Sequence, residues 1–134
     1  MEFGLGTLHL LLGRSVVFFT FICGIWGILA FFGRLPNDGR YYSTLVLAEL
    51  LLLAQTALGV VLLATGRSPK DMLHLAYGGL AAALLPIVYH YSIRNGWNTA
   101  LTCGLTSLFI GGLSIRAFTT VSAGISALLG PALR

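Results

Sequence analysis

The chain has 134 residues, of which 57% are hydrophobic and 9% charged, with eight Lys and Arg against four Asp and Glu. Its mean hydropathy of +0.90 means more apolar side chain than a soluble domain of this size can enclose. A water-soluble globular protein is excluded, no nucleic-acid partner is expected, and membrane lipid is the first partner to consider.

Four apolar stretches follow in order, over 8–32, 43–64, 72–93 and 99–118. Each is long enough for the roughly 20 helical residues that cross a bilayer core. The first lacks a basic leader and a small-residue cleavage site, so it is read as a true span and not as a signal peptide. Turn-rich connectors lie at 33–40, 66–71 and 94–98, short enough to join antiparallel neighbours. The expected fold is an all-α integral membrane protein, a four-transmembrane-helix up-and-down bundle forming one domain over 1–134. Residues 119–134, rich in small side chains, are read as a frayed or interfacial C-terminal extension.

In that topology the N-terminus, the second connector and the C-terminus share one side, with Arg14, Arg67, Lys70, Arg116 and Arg134. The other side carries Arg34, Arg40 and Arg94. The bias favours a cytoplasmic N-terminus, in a membrane of the bacterial inner-membrane type.

The third helix has the clearest start. Ser68 suits an N-cap, Pro69 the first helical position, and Asp71 the positively polarised first turn. Counted from this cap, His74 lies about 9 Å along the axis. His9 lies toward the same end, about 3 to 5 Å along its axis if the first helix begins near Gly6 or Thr7, and the two helices run parallel.

Each histidine is followed four residues later by glycine, as His9-Leu-Leu-Leu-Gly13 and His74-Leu-Ala-Tyr-Gly78. Residues at i and i+4 share a helix face, so each imidazole has bare backbone beside it, where a flat macrocycle has room. Two neutral imidazoles at one depth are the ligand set of a six-coordinate b-type haem. Arg14, Arg67 and Lys70 stand on the same side as candidate partners for propionates. The ordinary alternative is an interfacial histidine bonded to a carbonyl or to water, with glycine serving helix packing. No Cys-x-x-Cys-His motif is present, so a haem would be held non-covalently. Cys23 and Cys103 are read as small buried hydrophobes.

His90, sixteen residues beyond His74, lies about 24 Å away along the same helix and is excluded as a ligand to the same iron. In Tyr89-His90-Tyr91 it suits the interfacial aromatic belt. Glu49 is an intramembrane carboxylate, costly unless protonated, paired or wet. It shares a leaflet with His90, so a contact between them, a proton or quinol site, or a neutral carboxyl bonded to a neighbouring helix are the readings left open. Gln55 lies four residues before Gly59, facing the same way, and either bonds another helix or lines the haem pocket. Pro86 is expected to kink the third helix. Gly24, Gly27, Gly104, Gly111 and Gly112 allow close helix packing or make room for a flat ligand.

The stretch Ala54-Gln55-Thr56-Ala57-Leu58-Gly59, then Gly66-Arg67-Ser68-Pro69, then Leu73-His74-Leu75-Ala76-Tyr77-Gly78, preceded by Leu8-His9-Leu10-Leu11-Leu12-Gly13-Arg14, resembles one four-helix half of the haem A synthase family and related membrane b-type cytochromes. The resemblance runs over about residues 5–95 and rests on short apolar motifs. It implies a four-helix bundle with one haem between His9 and His74. The family has two such halves and an acidic residue close before a histidine in its catalytic half. This chain is one half and has none just before His9, which argues against haem modification and leaves a haem-holding bundle.

Two functions are therefore expected. The first is a small membrane b-type cytochrome with one bis-histidine haem b, transferring electrons within or beside a larger redox complex, its partner a redox protein or a quinone. The second is a non-catalytic accessory subunit of a respiratory or photosynthetic membrane complex, holding pigment or lipid. A transporter has little support, because there is one buried acid and no internal repeat.

Overall fold

A computed structural model describes residues 4–67 and 72–121, with side chains to 118. Four helices follow in order: α1 Leu5–Phe31, α2 Gly39–Ala64, α3 Leu73–Arg94 and α4 Thr99–Val121. All four are long and apolar enough to cross a membrane. At 1.5 Å per residue they measure about 33 to 40 Å, a little more than the hydrocarbon core. The chain is thus an all-α integral membrane protein. Three boundaries move outward from those expected, the starts of α1 and α2 and the end of α4 at Val121. α1 begins at Leu5 and α2 at Gly39, because a helix runs on into the headgroup layer past its last apolar residue. The cap expected at Ser68, Pro69 and Asp71 lies outside the described residues.

α1 packs on α2 and α4, α3 packs on α2 and α4, and each helix faces its diagonal partner across the bundle. The α1–α4 seam is the most extensive and the α2–α3 seam the slightest. An up-and-down arrangement with short connectors follows. α1 and α3 then run parallel on one diagonal.

Many leucines, isoleucines and phenylalanines point outward, with Phe18 69% and Ile87 57% exposed, as lipid solvation allows. Small residues point inward. A Cβ built on Gly27 would lie 2.6 Å from the Gly104 Cα and 2.5 Å from the Ala100 carbonyl oxygen. The two backbones therefore touch, the means by which helices gain dispersion energy where apolar surface alone gives no preference. Tyr41, fully buried, brings its hydroxyl over Gly27 and donates to the Ala100 carbonyl at 3.4 Å. Val16, Cys23, Leu45, Ala48, Leu52, Leu85 and Ile110 complete the core.

Three helix ends close alike. Arg34, Arg67 and Trp97 return their N–H groups to the carbonyls of Leu29, Leu62 and Ser92 at 2.8, 3.0 and 2.9 Å. Gly33, Gly66 and Gly96 take the positive φ this turn requires. α2 is capped by Asp38, whose carboxylate accepts from the Arg40 backbone N–H at 3.0 Å and pairs with the Arg40 guanidinium at 2.8 Å. α4 is capped by Asn98, which accepts from the Leu101 N–H at 2.9 Å.

Gly27→Ala is expected to lower stability by about 1–3 kcal/mol through overpacking. Gly112→Ala, whose Cβ would meet nothing within 4 Å, should raise it by about 0.5–1 kcal/mol. Thermal unfolding in detergent, followed by circular dichroism, reads both signs. Hydrogen bonds from Arg40 hold the Asp38 carboxyl below the usual carboxylate value. The charged cap therefore contributes fully above the ordinary carboxylate range and is lost as pH falls through the lowered value. Asp38→Asn should flatten that acid limb of the unfolding midpoint while leaving the neutral-pH midpoint little changed, since Asn also caps.

Candidate functional site

His9 is the fifth residue of α1 and His74 the second of α3. Because these helices are parallel, both side chains lie at the same end of the bundle. They meet across its diagonal, with ring centres 6.0 Å apart and planes at 69°. With metal–nitrogen bonds of about 2 Å, two imidazoles on opposite sides of one ion have ring centres about 6 Å apart. The observed 6.0 Å edge-to-face contact is of that size.

The two rings are held differently. His74 Nδ1–H donates to the Ala117 carbonyl of α4 at 3.2 Å. That bond puts the proton on Nδ1 and leaves the Nε2 lone pair for a metal, as the outer hydrogen bond of a metal-bound histidine does. His9 Nε2 faces the Gln55 amide nitrogen of α2 at 3.3 Å. With the amide N–H donating, the proton of His9 rests on Nδ1, which is buried without a partner, as is Gln55 Oε1. Three helices besides α1 thus converge on the pair: α2 through Gln55, α3 through His74 and α4 through Ala117.

The glycines expected to flank the pair diverge. A Cβ built on Gly13 would lie 2.8 Å from Phe118 Cζ and 3.0 Å from Gln55 Nε2, so these side chains already occupy that notch. Beside Gly78 nothing lies within 4 Å of such a Cβ. The bare backbone nearest the His9 ring belongs to Gly59, whose added Cβ would lie 3.3 Å from His9 Cε1. Gly59, Ala117 and Phe118 are the residues that sequence reasoning missed at this site. The repeated four-residue spacing in Gln55-Thr56-Ala57-Leu58-Gly59 was a usable signal for the first. Nothing in sequence pointed to the other two.

Arg67 extends over the start of α1, its Nη1 3.8 Å from the Cβ position of Gly6. Arg14 follows Gly13 and is partly buried. Arg67 thus stands at the bundle end where α1 begins, while Lys70 falls outside the described residues. His90 is exposed near the far end of α3. Among the described residues, no group of three or more His, Cys, Asp or Glu is gathered as a metal site.

Glu49 lies apart, in a groove between α2 and α3 lined by Tyr42, Leu45, Val46, Leu85, Pro86 and Tyr89. Its Oε2 is buried without a hydrogen-bond partner. His90 does not line this groove, and no hydrogen bond joins it to Glu49, so of the readings left open the direct contact is not formed.

Comparison with family models, with curated proteins and with solved structures finds no match.

Replacing Gln55 by Leu is expected to leave His9 with two unpaired ring nitrogens in an apolar setting, at a cost of about 1–3 kcal/mol. The fall in the detergent unfolding midpoint measures it.

Proposed function

We propose that this chain is a small membrane b-type cytochrome in which His9 and His74 hold one haem b non-covalently. The observation that carries the proposal is the imidazole pair itself, 6.0 Å apart between diagonal helices, with the His74 proton fixed on Nδ1 by a backbone carbonyl. His9 would bind through Nε2, exchanging the bond that this nitrogen accepts from the Gln55 amide at 3.3 Å. The resemblance of the two histidine-led helices to membrane b-type cytochromes points the same way.

The bound haem would supply one-electron chemistry. What the chain contributes is binding and orientation. His9 and His74 would hold the haem, and Arg14 and Arg67, with Lys70, would supply cations for its anionic groups. Making room calls for rotation of the Gln55 and Phe118 side chains, which fill the Gly13 notch, while the side of Gly78 is already open. A single haem near one face cannot carry charge across a bilayer alone. The proposal therefore includes a partner, a quinone or a redox protein, and places the chain within or beside a larger redox complex. The proposed setting is a bacterial inner membrane, and the slight Lys and Arg bias favours a cytoplasmic N-terminus.

The test is a reduced-minus-oxidised visible spectrum of protein purified after haem-replete expression. Sharp low-spin bands are expected from the wild type. Loss of either histidine should weaken retention more than the roughly 10- to 100-fold typical of losing a hydrogen bond behind a ligand, so His9→Ala and His74→Ala should each abolish the low-spin spectrum. A folded, colourless wild-type protein would overturn the proposal.

A further inference from the structure

The groove between α2 and α3 has its own chemistry, at a different place from the imidazole pair. Glu49 and Gln55 are six residues apart on α2, so the groove centres about 9 Å along the axis from the side chain that touches His9. It encloses about 190 Å³, below the 300 Å³ or so of a drug-sized pocket, and suits a single ring with the start of a tail. Tyr42 and Tyr89 stand edge to face on one side, ring centres 6.1 Å apart, and Leu45, Val46, Leu85 and Pro86 make the rest apolar. Val46 is 60% exposed and Tyr89 39%, so the groove opens onto the lipid-facing surface. Glu49 places in it a buried oxygen, Oε2, that has no hydrogen-bond partner.

An entrance from lipid, room for one ring, aromatic edges and one unsatisfied carboxylate oxygen define an occupant. It must be lipid-soluble, ring-headed and able to donate an O–H. We propose that this groove binds the head of a lipid-soluble hydroquinone, with a ring hydroxyl donating to Glu49 Oε2 and the tail leaving past Val46 into the bilayer. A lipid hydroxyl could also donate to that oxygen, but an acyl glycerol has no ring to set against the two tyrosines. The binding is independent of what His9 and His74 hold, so it stands or falls separately from the cytochrome proposal.

The test is calorimetric titration of the detergent-solubilised protein, under anaerobic conditions, with three probes: 2-decylhydroquinone, its dimethyl ether and dioleoylglycerol. The hydroquinone should bind saturably, and the ether and the glyceride at least tenfold more weakly. Glu49→Leu should weaken the hydroquinone at least tenfold, and Val46→Trp, which fills the groove and leaves Glu49 in place, should do the same. Equal binding of the ether, unchanged binding in either folded variant, or dioleoylglycerol binding as tightly as the hydroquinone would overturn the proposal. Circular dichroism checks that each variant folds. If Glu49→Leu does not fold, Val46→Trp together with the ether decides the matter.

Discussion

Contact between the backbones of α1 and α4 is the constraint from which the rest of the bundle takes its form. In lipid, apolar area exchanged between tail and side chain yields little, and helices adhere where their backbones come close enough for dense packing and for hydrogen bonds between them. Gly24 and Gly27 on α1, opposed by Ala100 and Gly104 on α4, leave no room for a single added carbon. Tyr41 then spans from α2 to the Ala100 carbonyl, and the Cys23 thiol donates to the Thr44 carbonyl at 3.7 Å, so α2 docks on a seam already formed. At the α3–α4 turn the Thr102 hydroxyl donates to Ser92 Oγ at 2.9 Å and Ser92 to Thr99 Oγ1 at 3.1 Å. Each of these bonds satisfies a polar group where water is not at hand.

The same seam positions the candidate site, some distance along the helices. With α4 held on α1, its later turns bring Ala117 and Phe118 to the bundle end that carries His9 and His74. Ala117 orients one imidazole through its carbonyl, and Phe118 occupies the notch of Gly13 beside the other. The imidazole pair thus depends on a helix that contributes no histidine to it. By contrast α2 and α3 meet only slightly, and the loose seam between them is where the Glu49 groove opens.

The class of fold was readable because four apolar runs of bilayer length, in a chain with so few charges, have no aqueous core large enough to enter. The connectors, in turn, carried Gly33, Gly66 and Gly96 where a helix end needs a positive φ. That His9 and His74 share one end of the bundle was likewise legible, since each lies early in one of two parallel helices. Side-chain detail was not. The Gly13 and Gly78 spacings are identical in sequence, yet one is filled and the other open, because the difference lies in which neighbour crosses each face. Phe118 comes from the far end of the described chain, and no periodicity announces such a contact. Glu49 was recognisable as costly, but its place between Tyr42 and Tyr89 depends on how α2 and α3 splay.

Polar atoms without partners are the most informative product of that packing. Most polar side chains in the four helices turn back to their own backbone, as Thr20, Thr56, Thr106 and Ser114 do on the carbonyls of Val16, Leu52, Thr102 and Ile110. A helix in lipid gains from that economy, because an unsatisfied group in hydrocarbon costs several kcal/mol. Against this background His9 Nδ1, Gln55 Oε1, Glu49 Oε2 and Ser107 Oγ stand out. The first three fall at two places, the imidazole pair and the α2–α3 groove, both reached from α2. A sequence free to place leucine at these positions would gain stability by doing so. Polar groups at these positions are intelligible where something outside the polypeptide completes their bonding, and α2 then serves as the element that connects the two places.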